Sequence, residues 1–312
     1  MDSGKRIKRL MEVASLYYEA DETQSEIARR YGISRPMVSR LLKEAKETGI
    51  VKISIQPPAS AQEVLLARMK GEFKLKGGVL VADGGSDTAV NDALAAAAVD
   101  FLKGIRGASL GVGWGHIIGN FVRHMERAEH LEPVCKTICP LIGNGGVGLK
   151  NYHSNELVRV IAEHSGAAPE FLYSPAYVLS EQELNLTKEL DNYRLVYEAW
   201  RKLDVALVNI GNFPSVPDFA SEARYGDVLV KQKAVGRILN YFVNREGRVL
   251  YSDTDYAIQI PLELLRRTKH VVGICSANIS QTALRGVLRT GLVNYLIAPV
   301  RVVETALKEE ML

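Results

Sequence analysis

"TQSEIARRYGISRPMVSRLL", residues 23–42, carries an apolar skeleton that breaks at Gly32 and restarts two residues later at a serine. Thr23 followed at the third position by Glu26 has capping-box spacing: the hydroxyl accepts from a backbone N–H and the carboxylate returns to the cap. A helix is predicted to begin there, with Ile27, Ala28 and Tyr31 on one face, and to end at Gly32, where a left-handed C-cap is needed. Ser34 is placed to cap the next helix. Pro36 is tolerated in its first turn because that N–H has no helical partner. Val38, Leu41, Leu42 and Ala45 supply the buried stripe of this helix, and Gly49 marks its expected end. Two helices joined by about three residues, with glycine permitting the reversal, form a helix-turn-helix unit. Upstream, Ile7, Leu10, Met11, Ala14 and Leu16 recur at helical spacing and predict a first helix over residues 5–19 that faces the same small core.

The outward side of the third helix is polar and basic. Arg35, Ser39 and Arg40 are expected to reach base edges in a major groove, with Gln24, Lys43 and Lys46 reaching phosphates and the cap residue Ser34 counted on the same DNA-binding face. "GIVKISI", residues 49–55, alternates apolar and polar positions as a short strand does and predicts a winged variant whose Lys52 touches the backbone. A plain three-helix unit would share these charges, but not two caps and a glycine turn at this spacing. Residues 1–56 hold 11 Lys and Arg against 8 Asp and Glu, and the remainder holds 28 of each sign. The whole formal excess of +3 therefore sits in the first fifth of the chain, which suggests a nucleic-acid partner for that segment.

At 312 residues with 47% hydrophobic content, the chain is long enough for a small module attached to a larger α/β unit. No apolar run of membrane-spanning length occurs, and the first residues are charged where a secretion signal needs an apolar centre. A cytoplasmic protein is expected, with no membrane partner. Cys135, Cys139 and Cys275 are odd in number and lie in apolar strand-like settings, which predicts buried free thiols rather than disulfides or a zinc site. "QPPASAQ", residues 56–62, is the best boundary. The expected domains are a winged helix-turn-helix over residues 1–56, a linker and possible interface helix over 57–76, and an effector and oligomerisation domain over 77–312. "EVLLARMKGEFKL" in the middle segment fits either a subunit interface or packing on its own domain.

From Gly77 onward, apolar strand candidates alternate with helical stretches, as in "GVLVA" before "ALAAAAVDFL" and "ASLGVGWG" before "HIIGNFVRHM". That pattern predicts an α/β, Rossmann-like, largely parallel sheet covered on both faces. Glycine-rich turns fall where the strands end: "GVGWG" at 111–115, "GNGGVG" at 143–148 and "NIGN" at 209–212. Ligands of open α/β sheets bind beyond the carboxyl ends of the strands, which makes Gly113, Trp114 and Gly115, with Asn144, Gly145 and Gly146, candidates to line a small-molecule site. "GVGWG" lacks the third glycine of the dinucleotide fingerprint and "GNGGVG" lacks the Lys-Ser/Thr of a P-loop, so no cofactor is expected.

Together, "LYYEADETQSEIARRYGISRPMVSRLLKEAKETGIVKISI", "GVGWG", "LIGNGGVG", "YSPAYV", "KAVGRILNYFVNREGRV" and "ALRGVLRTGLVNYLIA" resemble, in order and over nearly the whole length, the SorC family of bacterial transcriptional regulators, also called DeoR-like sugar-binding regulators. The resemblance implies a sugar-phosphate-isomerase-like effector domain, a homotetramer, double-stranded operator DNA as partner, and a sugar or sugar phosphate as effector. It also draws attention to departures. His116, Ile117 and Ile118 follow Gly115 where the family usually has Thr. Arg237 stands where many relatives are acidic. Asn278, Ile279 and Ser280 occupy a loop that commonly carries a lysine, and "APV" at 298–300 replaces an Asp-containing turn. His116, Arg237, Asn278 and Ser280 therefore join the candidate effector residues, with donors suited to phosphate or carboxylate. Arg237 is also compatible with a surface or interdomain salt bridge, and His116 with a helix start. A sugar-phosphate isomerase carrying a DNA-binding module is the alternative function. It would need a positioned base, and Asp83 with Asp87, or Asp253 with Asp255, are the nearest carboxylate pairs, all in turns expected to be solvated.

Overall fold

A computed structural model describes residues 3–52, 59–104, 108–127, 135–146, 148, 150–215 and 225–308. The chain divides into two units, Met1–Ile55 and Gln56–Leu312.

In the first unit α1 (Ser3–Tyr18), α2 (Gln24–Tyr31) and α3 (Arg35–Glu47) enclose Leu10, Val13, Ala14, Ile27, Ala28, Val38, Leu42 and Ala45. The capping box forms as spaced: the Thr23 N–H donates to Glu26 Oε2 at 2.8 Å, and the Glu26 N–H donates to the Thr23 hydroxyl at 3.3 Å. The Thr23 hydroxyl, which donates to Glu26 Oε2 at 2.7 Å, together with the Thr23 N–H holds the Glu26 carboxyl below its ordinary pKa. Gly32 adopts φ 62°, and the Ile33 N–H turns back to the Ala28 carbonyl at 3.0 Å, closing α2.

Three details differ from the sequence expectation. Ile7 and Met11 are 49% and 56% exposed, because the buried stripe of α1 runs through Leu10, Val13, Ala14 and Tyr17, at i, i+3, i+4 and i+7. Ser34 holds the N-cap position in extended backbone, yet its side chain makes no cap bond. Pro36 has no N–H to offer, and the Met37 N–H is taken by the Ser34 carbonyl at 2.9 Å. α3 stops at Glu47, with Thr48 as its cap. Of the expected wing strand, residues 49–52 form a turn and bend with no strand, and residues 53–55 lie outside the described residues.

The larger unit opens with α4 (Ala59–Phe73), which packs on its own unit. Met69 and Phe73 are buried, and Glu72 pairs at 2.9 Å with the buried guanidinium of Arg285. The strands are β1 (Gly77–Val81), β2 (Ala108–Val112), β3 (Cys135–Pro140), β4 (Ala168–Pro169), β5 (Val205–Asn212), β6 (Ala234–Ile238), β7 (Tyr241–Asn244), β8 (Val249–Leu250), β9 (His270–Cys275) and β10 (Tyr295–Pro299). They form one sheet in the order β1-β10-β9-β5-β2-β3-β4, parallel throughout, and β6, β7 and β8 extend it antiparallel from the end of β5.

The helices are α5 (Asp87–Lys103), α6 (His116–Arg127), α7 (Ser154–Ser165), α8 (Glu181–Glu189), α9 (Asp191–Arg201), α10 (Val228–Lys231), α11 (Leu262–Arg267), α12 (Gln281–Arg289) and α13 (Val300–Lys308). The run α5-α6-α7 and the set formed by α4, α12 and α13 both pack along the strands, and the central strands are accordingly buried along nearly their whole length. Cys135, Cys139 and Cys275 are free and buried, and burial pushes the Cys139 thiol up to about 12.

Candidate nucleic-acid interface and effector crevice

α3 presents Arg35, Ser39, Arg40, Lys43 and Lys46 to solvent, beside an exposed Ser34. The acidic side chains of the unit are largely engaged elsewhere. Glu44 receives Arg6 Nε and Nη2 at 2.7 and 2.9 Å, Glu22 receives Arg30 at 2.5 Å, and Glu26 is consumed by the cap. Among the described residues Arg35 and Arg40 make no hydrogen bond or ion pair, so both guanidiniums are available to an outside acceptor. Lys43 has only an exposed contact with Glu47 at 3.7 Å, and the Lys46 ammonium lies 5.8 Å from the Tyr18 ring. Such surface tethers exchange readily for a phosphate. Gln24 is half-buried at the start of α2, and Lys52 is exposed at the edge of the described segment. An open, charged cleft of about 640 Å³ on the same unit, between the ends of α1 and α2, is lined by Glu12, Glu19 and Arg30 and lies off this face.

In the sheet, the chain leaves β2 to build β3 and β4 on one side, then returns to place β5 on the other. Connections from neighbouring strands diverge between β2 and β5, and the position beyond the carboxyl ends of such a pair is where open α/β sheets hold a ligand crevice. Gly113, Trp114, Gly115 and His116 span the turn from β2 into α6. Trp114 is 1% exposed, with its ring 5.7 Å from Tyr152 and 6.3 Å from Tyr177. Gly115 has φ 116°, and a Cβ there would meet Asn209 Nδ2 at 2.9 Å, so a side chain is excluded twice over. A Cβ at Gly145 would stand 3.1 Å from Trp114, whereas Gly146 faces open space. His116 is exposed at the first turn of α6.

Arg237 is neither on the surface nor between domains. It lies opposite Gly211 in the β5–β6 register, 5% exposed, with its Nε 3.4 Å from where a Gly211 Cβ would stand, and it donates to the Leu239 carbonyl at 2.7 Å. Burial draws its pKa down, opposed by the Tyr177 and Tyr152 phenols. Arg237, Trp114, Tyr152 and Tyr177 thus make one aromatic-walled cationic corner. The Tyr177 hydroxyl donates to Asn240, Asn240 donates to Asp255, and Tyr225 donates to the other Asp255 oxygen, at 3.0, 3.0 and 2.6 Å.

Asp255 is therefore not the solvated turn acid expected from sequence. Burial raises its pKa against the Tyr225 hydroxyl, the Ala257 N–H and the Asn240 amide that donate to it. Asp253 is exposed, and Asp83 and Asp87 both bond to Arg301, at 2.8 and 2.9 Å. Neither pair faces a histidine among the described residues.

The remaining candidates divide. Asn144 serves the fold: its side-chain oxygen accepts the Asn155 N–H at 3.2 Å in the first turn of α7. Ser280 caps α12 by accepting the Ala283 N–H at 3.1 Å. Asn278 and Ser280 line a cavity of about 510 Å³ together with Arg301. This cavity is joined to the end of β5 by Asn212, which donates to the Asn278 carbonyl at 3.1 Å and accepts the Ser280 N–H at 2.9 Å. Asn209, Asn212, Tyr152 and Tyr177 were not singled out from sequence. Two of them sit in the quoted "NIGN" turn, but only the return of β5 beside β2 brings them to the crevice.

Residues 59–308 match the sugar-binding domain family, and residues 8–47 match sigma-70 region 4. The chain is 28% identical to the sorbitol operon regulator of Klebsiella pneumoniae, covering 99% of this chain and 100% of that one. It is 26% identical to the deoxyribonucleoside regulator of Bacillus subtilis, covering 92% and 93%. The crystal structure of full-length SorC from Klebsiella pneumoniae superposes with a TM-score of 0.71 at 25% identity, over 97% of this chain and 99% of that one. A sugar-binding α/β unit preceded by a helix-turn-helix with a free basic face places the chain in a single group: it belongs to the sugar-binding-domain family of SorC-type DNA-binding transcriptional regulators.

Proposed function

We propose that the protein acts in the cytoplasm as a metabolite-controlled regulator of a carbohydrate operon, binding operator DNA as a tetramer and catalysing no reaction. Arg35, Ser39 and Arg40 read base edges, while Gln24, Ser34, Lys43, Lys46 and Lys52 hold the phosphate backbone. The observation that carries this reading is the exposed α3 face, whose two arginines are unengaged while the neighbouring acids are neutralised inside the unit.

The effector, a sugar or sugar phosphate, occupies the crevice between β2 and β5. Its anionic group is held by Arg237 and by the turn from Gly113 to His116, with Gly145 and Gly146 at its wall and the Asn278–Ser280 turn at its far side. The mechanism is a population shift: the effector binds one arrangement of subunits better, and that arrangement sets the spacing of paired α3 helices against the half-sites.

Gel shift on a duplex selected from a random pool, repeated with a panel of free and phosphorylated sugars, tests both halves. The expected result is a specific complex whose affinity changes with at least one phosphorylated sugar, with Arg237→Gln abolishing the response but not the complex. Turnover of any member of the panel by the purified protein would instead favour the isomerase reading.

A further inference from the structure

The middle of the basic face of α3 holds a side chain that can neither donate nor accept a hydrogen bond. Val38, Leu42 and Ala45 are buried, and at about 100° per residue Pro36 and Arg40 both fall within roughly 30° of the line opposite the centre of those three. Pro36 is exposed, as are Arg35, Ser39, Arg40 and Lys43 around it. The first turn of a helix accepts proline for a backbone reason, since its φ is already set and its missing N–H has no helical partner. That reason concerns the backbone alone and leaves open what the ring meets once the face is covered.

We propose that the Pro36 ring packs on the 5-methyl group of a thymine, and that this contact fixes one T·A pair in each operator half-site beside the guanine read by Arg40. The inference rests on the placement of α3 in the major groove proposed above and adds a base to what that face reads.

Every base pair shows donors and acceptors in the major groove, and thymine alone adds an apolar group. A ring without polar atoms gains by covering that methyl. Over a cytosine amino group or a guanine carbonyl it would displace water and return no hydrogen bond, so the same residue favours thymine and penalises its replacements. Arg40 follows Pro36 by four residues, a rise of about 6 Å against about 3.4 Å per base step, which puts the thymine within about three base pairs of the guanine. Met37, 44% exposed, does not share this line. It lies about 100° further round the helix, on the side of Glu44, whose carboxylate is tied to Arg6 of α1 at 2.7 Å.

The test is a thymine scan. Fluorescence anisotropy of the full chain is measured at fixed salt on the selected duplex and on copies in which each thymine of the half-site is replaced by deoxyuridine, which differs only in lacking the methyl. The expected result is that one thymine, within about three base pairs of the position whose preference depends on Arg40, weakens binding on replacement by about fourfold in one half-site and about fifteenfold in both, the worth of one buried methyl. Pro36→Ser should bind the thymine and deoxyuridine duplexes equally, while Met37→Ser keeps the wild-type ratio. A role of Pro36 in helix formation alone would weaken both duplexes by the same factor and leave their ratio intact. With the pair changed to C·G, 5-methylcytosine should bind the wild-type chain better than cytosine by a similar factor, because it returns the methyl to an otherwise different edge.

A flat deoxyuridine scan of the wild-type chain, which needs no variant to fold, overturns the contact, and so does a penalty that survives in Pro36→Ser. If Arg40→Ala still flattens the preference at its own base, the wider reading of α3 stands without it. If neither Arg40→Ala nor any thymine replacement alters base preference, or if the chain selects no duplex at all, the placement of α3 in the groove falls as well.

Discussion

Replacing Arg40 with alanine should strip affinity from the operator while leaving the fold intact. The side chain is exposed on α3 and makes no bond to its own chain, so its loss falls in the class of surface substitutions that change stability by less than about 0.5 kcal/mol. In the complex its guanidinium is expected on a guanine edge, where a bidentate pair contributes about 1–3 kcal/mol of discrimination. Two chains on a two-fold operator double this to about 2–6 kcal/mol, a weakening between roughly thirty-fold and twenty-thousand-fold. Fluorescence anisotropy on the selected duplex and on single-base variants, across a salt series, separates this contact from a phosphate contact. Arg40→Ala should lower affinity, flatten the preference at one base position in each half-site and leave the salt slope almost unchanged. Lys46→Ala should leave the base preference intact and reduce the slope by about 1. A loss under about threefold for Arg40→Ala, with the preference unaltered, would refute the assignment of this side chain to bases.

Gly32→Ala forces a Cβ into φ 62° with no steric neighbour, so its cost is the left-handed backbone alone, about 1–2 kcal/mol, read by urea unfolding followed through α1–α3 helicity. Leu42→Ala empties a 4% exposed site in a small core and should cost about 2–5 kcal/mol, abolishing DNA binding at temperatures where the larger unit still gives its native near-ultraviolet spectrum. Asp255 has a folded pKa raised above its unfolded value, so its contribution to stability is fully present below the unfolded pKa of about 3.9 and is lost as pH rises through the folded value. Asp255→Asn should therefore gain on wild type progressively as pH climbs from about 4, in thermal melts across a pH series, and a difference constant with pH would contradict the burial argument.

Local chemistry was legible in the sequence, and long-range return was not. The Thr23–Glu26 cap, the turn at Gly32 and the face made by Val38, Leu42 and Ala45 depend on residues within four positions of each other, so spacing alone reveals them. The alternation of strand and helix after Gly77 announced a parallel sheet in the same way. Ile7 and Met11 were misplaced because several apolar stripes can be drawn on one amphipathic helix, and the choice among them is made by α2 and α3. Arg237 and Asp255 are harder still. Each lies in a polar-looking stretch, and only the antiparallel extension β6–β8, folding back on β5, turns the first inward and brings Tyr225 and Asn240 to the second. The glycine turns marked the ends of strands, but which turns share a crevice depends on strand order, a property of pairings between residues about a hundred positions apart.

The sealed cysteines have a practical sequel. With Cys139 pushed up to about 12 and Cys135 to about 11, neither offers appreciable thiolate at neutral pH, and Cys275 is closed in the same way. A single thiol engineered at an outward position of α3 would then be the one fast-reacting nucleophile in the molecule. Spin labels could be attached there without first deleting any native sulfur. The separation between labels on associated chains could be followed directly as sugars are titrated in.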